Sequence, residues 1–199
     1  MRHTARRPPS RRHLSGLIPP RRSRPRCRDC RLPPFPVVDH ADLDAVARQL
    51  GREPRGVLEI AYRCPNGEPG VVKTAPRLGD GTPFPTLYYL THPVLTATAS
   101  RLESEGVMRT MTAALRDDPE LAGAYRRAHE SYLAERDAIE PLGITFSGGG
   151  MPDRVKCLHV VMAHALAKGR GVNPLGDQAL AMVAGEAAMA GILVAGEWT

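Results

Sequence analysis

Apolar positions in this chain follow two periods, one near two residues and one near 3.6. Leu43, Val46, Ala47 and Leu50 share one helical face, with Asp42 placed to cap and Gly51 to terminate, which predicts a helix over residues 39–50. Residues 57–63 and 71–75 read as strands flanking Cys64-Pro-Asn-Gly-Glu-Pro-Gly70, whose Asn-Gly is a strong hairpin signal. Loop chemistry follows (Pro76, Gly79, Asp80, Gly81, Pro83, Pro85), and then TLYYL at 86–90 reads as a third strand. Three such strands form a sheet that needs a helical layer against it.

From Thr91 the period becomes helical. Thr91 as cap with Pro93 in the first turn opens a helix to residue 105, Gly106 stops it, and 107–116 forms the next. Residues 119–140 are amphipathic through Leu121, Tyr125, Ala128, Tyr132 and Ile139, and their charges alternate in sign, which marks a solvated face rather than a nucleic-acid stripe. Residues 144–146 read as extended. Across 153–168, Val155, Leu158, Met162, Ala163 and Leu166 form one apolar side that includes His159, while Cys157 and His164 lie opposite. Apolar on both sides, this segment predicts a central, buried helix. Residues 179–196 are rich in alanine and glycine and interrupted by Glu186, so they read as a packed helix rather than a bilayer span, which needs about 20 strongly apolar residues. The expected fold is α+β, a small antiparallel sheet of about three strands packed against a helical layer with a central buried helix.

Composition changes this picture at one end. The formal charge is +6, yet residues 1–38 alone hold eleven arginines, eight prolines and a single acidic residue, Asp29, leaving residues 39–199 at −4. Residues 1–38 are therefore expected to be a disordered Arg/Pro-rich tail and 39–199 a single α+β domain. Nucleic-acid contact is expected only through that tail. Cys27 and Cys30 make a C-x-x-C with no second pair near it, short of the four ligands of a zinc site. Four cysteines are too few for a disulfide scaffold, and the N-terminus lacks an apolar signal core, so a cytoplasmic, non-membrane location is expected.

Candidate chemistry concentrates between Ser147 and Asp177. Ser147, Gly148, Gly149 and Gly150 precede a predicted helix start, where backbone N–H groups converge and favour an anion, with Arg154 and Lys156 to assist. The spacing matches no nucleotide loop and no nucleophile elbow. The expected ligand is a small anion or phosphorylated metabolite. Metal ligands, if they share an ion, must come from separate elements: Cys64 at the hairpin turn, His92 at a helix start, and Cys157 with His159 or His164 on the central helix. Mixed thiolate and imidazole favour zinc; an iron–sulfur cluster is second, because the domain offers only two cysteines.

The stretches PFPTLYYLTHP (83–93), SRLESEG (100–106) and GGMPDRVKCLHVVMAHALAKGRGVNPLGD (149–177) resemble the DUF501 family, common in actinobacteria, over about residues 57–180. The family is of unknown function, so the resemblance supplies no reaction. It implies a cysteine in some relatives at the place of His92, a swap that keeps a metal ligand. It also implies gene neighbours for a septum formation initiator and an exopolyphosphatase. Two functions are thus expected: a metal- or small-anion-binding domain, enzymatic or not, with its site at the glycine-rich turn and the Cys/His helix, or a non-enzymatic interaction protein linked to cell division.

Overall fold

A computed structural model describes residues 38–198; the expectations for residues 1–37, including Cys27 and Cys30, lie outside the described residues. Strands β1 (Val57–Arg63), β2 (Pro69–Thr74) and β3 (Tyr88–Leu90) form one antiparallel sheet in that order. The Asn-Gly hairpin joins β1 to β2, and β3 pairs with β2 through Val71–Leu90, Val72–Tyr89 and Lys73–Tyr88. Alternation then sends Val71, Lys73, Tyr88 and Leu90 to one face and Val72 and Tyr89 to the other.

Helices follow as α1 (His40–Leu50), which precedes the sheet, then α2 (Pro93–Ser104), α3 (Val107–Asp117), α4 (Pro119–Ile139), α5 (Leu158–Lys168) and α6 (Pro174–Ala181). α5 is the central element. It packs on β3, α2 and α6, and Val161, Met162, Ala163, His164 and Ala165 are all fully buried. α6 approaches it closely because Gly176 has no side chain: a Cβ there would stand 2.2 Å from the Val161 carbonyl oxygen. α1 and the loop after β2 cover the opposite face of the sheet, where Leu50, Leu78 and Phe84 surround Val72.

The architecture is the expected α+β, with several local corrections. Asp39, not Asp42, caps α1, its carboxylate accepting from the Ala41 N–H; Asp42 is instead engaged by Arg63. His92, not Thr91, caps α2. Residues 144–146 are not a strand; the buried Arg136 guanidinium holds that segment through the Ile144 and Phe146 carbonyls. The expected helix over 179–196 ends at Ala181 and gives way to turns and a 3-10 segment, Ala187–Met189, as its many glycines would favour.

The most consequential correction concerns α5, which begins at Leu158 rather than residue 153. Residues 147–157 fold back on the glycines: Lys156 N–H donates to the Gly149 carbonyl (2.6 Å) and Arg154 N–H to that of Gly150 (3.2 Å). Gly150 sits at φ 92°, and a Cβ there would meet the Arg154 oxygen at 2.8 Å, so only glycine permits this fold. Cys157 is therefore the residue before the helix, extended at φ −154°, ψ 115°. A helical wheel does not describe where its side chain points.

Candidate metal centre

Released from the wheel, Cys157 meets His159 instead of lying opposite it. The two join Glu103, from the last turn of α2, in a cluster whose ligand atoms all lie within 4.8 Å of one another. Among the described residues it is the only such trio of His, Cys, Asp and Glu. Glu103 is held by the start of α5: its Oε1 accepts the Leu158 N–H at 2.6 Å and the His159 Nδ1 at 3.1 Å. A carboxylate at a helix N-terminus satisfies an orphan donor and the helix dipole together. Glu103 thus places a carboxylate of the chain itself at the start of α5.

His159 is half-buried, with Ser100 Oγ 3.4 Å from Nε2. Its pKa is raised to about 9, first by the hydrogen bond with Cys157 and then by the Glu103 carboxylate, which together outweigh burial. The raised pKa favours the protonated imidazole at neutral pH, with Glu103 and Cys157 beside it. Cys157 and His159 also line a cavity of about 500 Å³ beside β3, walled by Tyr88, Leu90 and Thr91. Among the described residues, its lining carries no lysine, arginine or carboxylate.

The other residues expected to bind metal lie elsewhere. His92 Nδ1 accepts the Val94 N–H (3.3 Å), so Nε2 carries the proton and donates to Glu68 (2.9 Å). Cys64 is buried near the same hairpin end, its thiol pushed up to about 11 chiefly by burial. Both approach Gly70, whose carbonyl accepts the His92 N–H and whose Cβ, if present, would lie 3.1 Å from the Cys64 sulfur. Neither joins Cys157. His164 is a core residue, stacked on Tyr88 at 5.6 Å and edge-on to Tyr132 at 5.2 Å. Burial lowers its pKa to about 4, and Asn173 Nδ2 donates to its Nδ1 (3.3 Å).

Of the residues expected to bind an anion, Ser147 is buried with its hydroxyl on His129 Nδ1 (2.9 Å), and Gly148, Gly149 and Gly150 form the turn. Arg154 and Lys156 are exposed, and their backbone N–H groups are used within that turn. Glu103 was not singled out from sequence. Its only signal was membership of SRLESEG, since one acid on a helix face is indistinguishable from a solvated one.

The family model described as a protein of unknown function, DUF501, matches residues 60–181. The chain belongs to the DUF501 family. That match contains Glu103, Cys157 and His159 together with the end of β1, strands β2 and β3 and helices α2 to α6. No curated protein and no solved structure matches the chain. Among the described residues, no helix is long and apolar enough to cross a membrane.

Proposed function

We propose that this DUF501 chain is a metal-binding protein whose centre is Glu103, Cys157 and His159, with zinc as its metal. The supporting observation is their convergence within 4.8 Å at the edge of a cavity. Tetrahedral zinc with bonds of about 2.0–2.3 Å separates its ligand atoms by roughly 3.3–3.8 Å, so small side-chain movements suffice. One oxygen, one sulfur and one nitrogen suit zinc better than an iron–sulfur cluster, which takes thiolates. Three protein ligands also leave a fourth position for water or a ligand from the cavity, the pattern of zinc sites that do chemistry. To bind, His159 must lose its proton and Cys157 its own, so uptake releases protons. Cobalt titration of the metal-free protein tests this. A thiolate-to-cobalt absorption band is expected, and its presence in Cys157→Ser would refute the assignment.

A second reading rests on the same contacts. His159 between Cys157 and Glu103 has the order of a thiol nucleophile, its imidazole partner and an orienting carboxylate. Here Cys157 attacks a substrate bound in the cavity, without a metal. Alkylation separates the two: rapid labelling of Cys157 that added zinc does not slow favours the nucleophile.

A further inference from the structure

A second cavity lies over the outward face of the sheet, the face turned away from α5. It measures about 280 Å³, near the lower end of small-molecule sites, and its apolar part is formed by Val57, Val72, Leu78 and Phe84. Arg52 and Arg55 stand at its margin, both exposed, and among the described residues no acidic one lines it. Neither guanidinium forms an ion pair among the described residues; Arg52 donates only to the neighbouring Glu53 carbonyl, at 3.3 Å. Asp80 feels the charge of Arg55, but its carboxylate is committed first to the Thr82 N–H (2.9 Å), and it does not line the cavity. Two unpaired arginines beside an apolar pocket are a local exception in a segment whose net charge is −4 over residues 39–199. Guanidinium groups are built to take carboxylate or phosphate oxygens in pairs.

We propose that this cavity binds a small amphipathic anion: a short acyl chain or single ring carrying one carboxylate or phosphate. The apolar body lies against Val72 and Phe84, and the head group meets Arg52 and Arg55. The site is separate from the Cys157 cluster, although Leu50 and Tyr89 form walls of both cavities.

Calorimetry on the full chain tests this with four probes of equal chain length: octanoate, octyl phosphate, 1-octanol and octylammonium. The expected result is saturable binding of one or both anions, at least about tenfold tighter than octanol, since one charge-assisted hydrogen bond is worth a factor of that order. Octylammonium should bind more weakly still. Octanoate favoured over octyl phosphate identifies a carboxylate ligand, and the reverse a phosphate. Arg52→Gln with Arg55→Gln, both exposed and so tolerable to the fold, should erase the preference for the anions. Leu78→Trp, filling the pocket from a loop, should weaken all probes, and Cys157→Ser should change none. Absence of saturable binding by either anion, equal binding of octanol, or an undiminished preference in the double arginine variant overturns the proposal. Loss of binding in Cys157→Ser also overturns it, because the ligand would then belong to the other cavity.

Discussion

His164 sets how the fold responds to acid. It is wholly buried between two tyrosine rings and accepts from Asn173, so its neutral form is the one that fits. Its pKa is near 4 in the fold against about 6.5 unfolded. Between these values the unfolded chain holds a proton that the folded chain does not, and stability falls as pH falls, by about 1.4 kcal/mol per unit. From pH 7.5 to pH 5 the loss from this one residue is about 2 kcal/mol. His164→Phe keeps the stack on Tyr88 but cannot titrate. Losing the acceptor for Asn173 costs it stability equally at both pH values. Urea melts of both proteins at pH 7.5 and 5 isolate the effect, because carboxylates titrate alike in each. With a slope of about 2 kcal/mol per molar urea, the wild-type midpoint should fall about 1 M further than that of the variant. Equal falls would refute the reasoning and return His164 to the ranks of hydrated, titrating histidines.

His159 works in the opposite window. In metal-free protein its raised pKa, near 9, contributes stability that is complete below about 6.5 and lost as pH rises through 9; His159→Gln should flatten the alkaline limb of a pH–stability curve. Zinc affinity should rise with pH over the same window, as metal displaces the His159 proton, and a pH-independent affinity would contradict His159 as a ligand. Gly176→Ala should separate α6 from α5, since its Cβ would overlap the Val161 carbonyl, at a cost of about 3 kcal/mol or roughly 6–12 °C in melting temperature. Tyr132→Phe removes the acceptor of the Leu87 N–H (2.6 Å) in the core and should cost about 1–3 kcal/mol by urea denaturation.

Most of the fold was legible because it is written in local periods. The β1–β2 hairpin, its Asn-Gly turn and the run of α2, α3 and α4 each follow from residues adjacent in sequence, and their expected and observed bounds differ by a few residues at most. The buried character of α5 was legible for the same reason. What failed depended on contacts distant in sequence. The start of α5 is fixed by glycine carbonyls that fold residues 147–157 back, and by a carboxylate 55 residues away on α2. That displacement moved Cys157 off the helix, while within α5 His159 faces the cavity and His164 the core. Cys64 and His92 carry metal-binding chemistry in their side chains, yet the hairpin keeps them with Glu68 and away from Cys157.

The central claim is that Glu103, Cys157 and His159 hold one metal ion, and metal content per chain tests it most directly. Protein purified without a histidine tag is analysed for zinc, alongside Glu103→Gln, Cys157→Ser, Cys64→Ser and His92→Gln. The expected result is about one zinc per chain in the wild type, retained in Cys64→Ser and His92→Gln and lost in Cys157→Ser and Glu103→Gln, with all four variants folded by circular dichroism. Protein that neither carries zinc nor takes it up from solution, or zinc that survives Cys157→Ser, would contradict it.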